Sequence, residues 1–312
     1  MPPGFHSDYQ NQFKLMEKNV FVLTFMLIFT VGTTFGQGYT FKVLANKGAN
    51  KVKSGSEWQA LKTGASLQDG DELIISENAY LGLVHASGKT LELKAPGNHK
   101  ITDLAAKVST GGSSVASKYA DFVLSKMSAE GKKNRLSATG AVHRGSSDAI
   151  QVFMPSSVGV FNDNAIIRWD SLDGQNTYIV TLKNMFDDVL LSIETKDPNI
   201  ELDLTDDKIS KENVVLLSVA SKGDAEVKSG TYAIKRLPQA DAERVKATLN
   251  DLMSDVKQET ALNKYILAGF YEENNLLIDA LTSYEEAIKL APEVESYRDA
   301  YVEFLLRNRL NE

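Results

Sequence analysis

The side chains able to do chemistry in this chain are few and scattered. It holds four histidines and no cysteine, so thiol nucleophiles and cysteine-ligated zinc are excluded at once. His85 and His99 fall in an alternating, strand-like region without carboxylates at supporting spacing, and His85 reads as a plain surface or edge histidine. His143 lies in a basic stretch rich in glycine and serine. General acid–base catalysis needs such groups to converge with partners that tune them. No His-Glu-x-x-His, no Gly-x-Ser-x-Gly, no Gly-x-x-x-x-Gly-Lys and no dinucleotide glycine triplet occurs. Gly111-Gly112-Ser113-Ser114 precedes a helical pattern that could hold an anion, but it lacks the following lysine and the preceding strand. Asp187-Asp188 and Asp203 with Asp206-Asp207 sit at apparent strand ends, where surface acids are routine, and residues 170–175 fall short of a calcium loop. Glu272-Glu273 and Glu285-Glu286 read as solvated helix faces, and Lys132, Lys133 and Arg135 as a solvated loop. The expectation is a chain with no catalytic residues, no metal and no cofactor. No individual partner-binding residue is assigned.

Composition agrees with a non-catalytic role for an ordinary globular chain. Of 312 residues, 43% are hydrophobic and 24% charged, a balance that is neither disordered nor wholly membrane-embedded. Thirty-four Lys and Arg against 41 Asp and Glu give a net charge of −7. A nucleic-acid surface needs a basic footprint, so nucleic acid is not an expected partner. The missing cysteines also exclude a disulfide scaffold and a lipid-modified cysteine anchor.

The N-terminus reads as an address. Lys14 and Lys18 precede an apolar run from Val20 to Val31, which is about the length of a signal-peptide core and short of a spanning helix. Thr34 and Gly36 supply small residues for cleavage before Gln37, so residues 1–36 are assigned as a signal peptide, with Met16 a more conventional start than Met1. Export to the periplasm is expected, with secretion as the alternative, and membrane contact only through this segment.

From residue 37 to 104 the chain reads as short strands punctuated by turns. Residues 39–44, 72–75, 80–85 and 91–94 alternate or run apolar, with Ser87-Gly88 and Pro96-Gly97 between them or after them. The series Trp58-Gln59-Ala60-Leu61, Gly64-Ala65-Ser66-Leu67, Asp69-Gly70-Asp71-Glu72-Leu73, Leu81-Gly82-Leu83-Val84 and Ser87-Gly88-Lys89-Thr90-Leu91-Glu92-Leu93 resembles the FecR-type periplasmic domain. The resemblance implies a β-rich module for protein contact in the envelope, without catalytic residues. Trp58 is expected as its large buried anchor. Sigma-factor regulators of that family carry a substantial cytoplasmic segment before a membrane helix. Here only residues 1–18 stand in that place, which argues against that role.

Residues 105–149 read as a connector, flexible at Ser109 to Ser114, helical from Val115 to Ala129, and exposed beyond. Interdomain freedom is expected there. Residues 150–237 then supply six or seven short strands around Trp169, which is expected in the core. The pattern of Arg168-Trp169, then Tyr178-Ile179-Val180, then a late strand before Ser229-Gly230 resembles fibronectin type III domains and implies an immunoglobulin-like sandwich.

Residues 238–312 are helical. Val245, Leu249, Leu252 and Val256 recur at helical spacing. Leu267-Ala268, Tyr271, Ala280, Tyr284, Ala287 and Pro292 resemble a tetratricopeptide repeat over residues 261–294, with Lys264 at a position where a bulky residue is usual. Small residues there allow close helix approach, and Tyr297, Tyr301, Phe304 and Leu305 supply the next packing face. The resemblance implies protein–protein contact through a groove, near which Asn263, Lys264 and Phe270 are expected. The helices could instead simply stack on the sandwich. The fold expected is therefore multidomain β plus α: small all-β module, immunoglobulin-like sandwich, tetratricopeptide-like tail. The function expected is an exported interaction or scaffold protein of the bacterial envelope, with a protein partner met mainly through the tail. The alternative is a binding module for an envelope glycan or other surface polymer, presented by the β domains.

Overall fold

The structure, a computed structural model, describes residues 38–108, 115–126, 150–172, 177–254 and 259–310. The proposed signal segment, His143, the Gly111–Ser114 stretch and the Lys132–Arg135 cluster lie outside them. Residues 39–312 cluster as one compact unit.

The front of this unit is built from β1 (Phe41–Lys47), β2 (Lys51–Ser54), β3 (Glu57–Ala60), β4 (Ser66–Leu67), β5 (Glu72–Ile75), β6 (Tyr80–His85), β7 (Thr90–Leu93) and β8 (Gly97–Lys100). They form two four-stranded antiparallel sheets, ordered β4-β1-β6-β7 and β3-β2-β5-β8. Phe41, Val43, Leu67, Leu73, Ile75, Leu81 and Leu83 make the core of this part, closed by Ile101 and Leu104 of the short helix α1 (Ile101–Lys107). Strand β6 is buried at five successive positions, Tyr80 to Val84, rather than at alternate ones. Its second face meets helices, and a strand covered on both faces reads as a continuous apolar run. Strands β2, β3 and β8 are mostly polar or exposed, which is why no apolar run announces them.

The second β part comprises β9 (Ser157–Val160), β10 (Asn164–Arg168), β11 (Tyr178–Lys183), β12 (Val189–Thr195), β13 (Asn199–Asp203), β14 (Val214–Ser221) and β15 (Tyr232–Arg236). Five strands form a sheet in the order β12-β11-β14-β15-β9, with β9 parallel to β15, and β10 pairs with β13. Alternate residues of β11 and β14 point inward, so Val180, Leu182, Val215, Leu217 and Val219 share one core with Ile167, Ile200 and Leu202. Trp169 is fully buried there and meets the Tyr178 ring edge-on at 5.4 Å, as its position in an apolar pattern implies.

Five further helices lie among the described residues: α2 (Val115–Lys126), α3 (Gln239–Met253), α4 (Ala261–Glu273), α5 (Leu277–Leu290) and α6 (Glu295–Arg307). Ala268 and Ala280 are fully buried, as expected where helices approach closely, and α5 ends two residues before Pro292. Helix α2 is not a free connector. Gly269 of α4 lies so close to it that an added Cβ would stand 2.6 Å from Val123, and Tyr119 packs edge-on against Phe270. Tyr39 and Ser117 share a hydrogen bond, and Lys42 pairs with Asp121, so α2 is also tied to the start of the front sheet.

Candidate functional site: polar joints and exposed surfaces

Three polar side chains spaced by three residues along α5 face the second β part. Asp279 accepts hydrogen bonds from the backbone N–H groups of Phe161 (3.0 Å) and Asn162 (2.7 Å). Thr282 accepts from the N–H of Ile166 (2.9 Å), and Glu285 holds Arg168 through two bonds of 2.5 and 2.9 Å. β10 has only one sheet partner, so the outward N–H of Ile166 needs an acceptor, and Thr282 supplies it, while Asp279 serves the two N–H groups just before the strand. Tyr271 donates to the Asn162 side chain from the neighbouring helix. Asp279 is fully buried. Burial pushes its carboxyl up to about 6, against the opposing pull of the hydrogen bonds it accepts.

A second joint fastens the helices to the front sheets. Glu92 of β7 accepts from Tyr80 (2.7 Å) and from the N–H of Leu262 (2.9 Å), where it meets one of the free donors at the start of α4. Tyr80 also shares a 2.8 Å hydrogen bond with Tyr297 of α6. Gly82 allows this approach, since a Cβ there would stand 3.0 Å from Leu262. A third cluster locks α6: Arg307 donates to Glu272 through bonds of 2.6 and 2.7 Å, and Asn308 adds another. Burial raises the phenols of Tyr80, Tyr284 and Tyr297 far above their ordinary value, so they act as hydrogen-bonding alcohols.

Several expectations are corrected by this packing. Glu272 and Glu285 are not solvated, with side chains only 6% and 15% exposed, because each is paired with a half-buried arginine that covers it. Asn263 and Phe270 are buried rather than lining an open groove, because the space beside α4 is filled by α2 and the front sheet. Lys264 is mostly covered, bridging Glu259 and Glu286 at 2.6 and 2.9 Å. Trp58 is 40% exposed on β3, an edge strand exposed throughout, while Phe41 is the large side chain in the front core. His85 closes an inner strand rather than an edge. It is half-buried against Phe41, its Nδ1 is in a hydrogen bond with Ser87, and burial lowers its pKa against the pull of Asp69. His99 lies in the other sheet. The residue that sequence reasoning missed is Asp279. Its helical context shows an ordinary first-turn acid, and only the opposing backbone N–H groups distinguish it.

Five other large apolar side chains are left exposed among the described residues. Leu290 and Val302 lie on α5 and α6. Met185, Phe186 and Val189 lie at the hairpin between β11 and β12, where Asn184 accepts from the N–H groups of Phe186 and Asp188 and so holds the tip in one conformation. No group of three or more metal-ligating side chains gathers among the described residues. No described helix is long and apolar enough to cross a membrane.

No family model matches this chain, and no curated protein matches it. Among solved structures it is similar to the crystal structure of the Arg-specific cysteine proteinase gingipain R, at 19% identity and a TM-score of 0.21. That likeness covers 28% of this chain and 18% of the proteinase, so the chain spans less than a fifth of that protein. It defines neither the fold nor an activity here.

Proposed function

We propose that this chain is a non-catalytic interaction or scaffold protein exported to the bacterial cell envelope. Its parts are a FecR-like β module, an immunoglobulin-like sandwich and a tetratricopeptide-like helical segment that meets a protein partner. The supporting observation is the double fastening of the helical segment. It is joined to one β part through Asp279, Thr282 and Glu285, and to the other through Glu92 and Tyr297. Such a segment transmits a hold on a partner to both β parts, and Leu290 and Val302 remain on it as apolar surface for that partner. The test uses the full chain, since cutting after Leu237 would strip buried faces from both β parts. Leu290→Asp with Val302→Asp is expected to abolish one specific cross-linked partner in cells while thermal stability is kept. A partner captured equally by this variant moves the contact elsewhere.

A second reading, a glycan-binding module, is favoured by one observation. Trp58 stands exposed on a β edge with the Lys53 ammonium 5.9 Å from its ring centre.

A further inference from the structure

We infer that the outer face of the β3-β2-β5-β8 sheet binds an acidic polysaccharide, with Trp58 as stacking platform and Lys51, Lys53 and Lys100 as contacts to its carboxylates. The inference rests on the glycan reading and names its site and polymer class.

The register determines which side chains share this face. Trp58 pairs with Lys53, Lys53 with Glu72, and Glu72 with Lys100, so the four form one row across the sheet. The adjacent row on the same face is Ala60, Lys51, Ile74 and Asn98. The opposite face carries Val52 and the fully buried Leu73, so the Trp58 face is the one turned to solvent. Adjacent strands lie about 4.8 Å apart, and the row from Trp58 to Lys100 therefore spans roughly 14 Å, the reach of a short oligosaccharide.

The chemistry is selective. A pyranose ring presents C–H groups to an aromatic face, and Trp58 offers a ring 40% exposed on a strand whose four residues are all exposed. Three lysines against the one carboxylate of Glu72 make the face cationic in a chain whose net charge is −7. Carboxylates along the polymer complement those ammonium groups, whereas a neutral glycan leaves them unused. A nucleic acid would also offer rings and anions, so a single-stranded phosphate polymer is the competitor that the titration must separate from the polysaccharide.

The test titrates the full-length protein with oligo-alginate, a neutral glucan of equal length, and oligo-deoxythymidine. Expected is binding to alginate alone, weakened by added salt and at least about tenfold weaker in Trp58→Ala. Lys53→Gln with Lys100→Gln should weaken binding and flatten its salt dependence. Glu72→Gln should tighten it, which a merely misfolded variant would not do. Binding to glucan but not alginate overturns the acidic assignment and leaves the glycan reading standing. Absence of binding to either polymer overturns both. Equal binding to deoxythymidine, or alginate binding unchanged in Trp58→Ala, overturns the site.

Discussion

Asp279 offers a quantitative test of how the helices are joined to the second β part. Its carboxylate is fully buried and accepts two backbone N–H groups. Burial raises the folded-state value from 3.8 to about 6, so the folded chain binds this proton more tightly than the unfolded chain. The stabilisation that follows is fully present below about pH 3.8 and is lost as pH rises through about 6. At about 1.4 kcal/mol per pH unit, the whole effect is about 3 kcal/mol, of which about 1.4 kcal/mol develops between pH 7.5 and pH 5. Asp279→Asn keeps the shape and one acceptor and removes the titration. Urea unfolding of both proteins at pH 7.5 and pH 5 isolates the term, because all other titrating groups cancel in the difference. The parent chain should gain about 1.4 kcal/mol more than the variant on going to pH 5. Equal pH dependence in the two proteins would refute the buried, desolvated placement of this carboxyl. Asp279→Ala provides a second reading, since two N–H groups then lose their acceptor. At about 1–3 kcal/mol for each, it should cost about 2–6 kcal/mol.

Three other outcomes follow from the same packing. Gly269→Ala places a methyl 2.6 Å from Val123 and should cost about 1–3 kcal/mol, with Val123→Ala in the same chain recovering part of it in a double-mutant cycle. Glu272→Ala leaves the half-buried Arg307 without its partner and should lower stability by about 1–3 kcal/mol in chemical denaturation; a loss below about 0.5 kcal/mol would mean the pair is open to water. Trp169→Ala should cost about 3–5 kcal/mol and remove most of the fluorescence change on unfolding, because the remaining tryptophan, Trp58, is already exposed.

Local pattern determined much of this chain on its own. Alternation in residues 178–182 and 214–220 identifies half-buried strands, and apolar spacing of three and four identifies the helices after Pro238, because each period belongs to one backbone geometry. Small residues at Ala268 and Ala280 mark where helices touch for the same local reason. What covers each surface is a long-range matter, and only the tertiary structure decided it. Trp58 carries the composition of a core anchor, yet its strand is a sheet edge with all four residues exposed. Glu272 and Glu285 look like solvent-facing acids on a helix until Arg307 and Arg168 arrive from elsewhere in the chain and bury them. Asp279 becomes a joint because the two residues after β9 set their N–H groups opposite it, more than a hundred residues away in sequence. Periodicity is written within a single element, whereas burial and hydrogen-bond partnership are properties of pairs of elements.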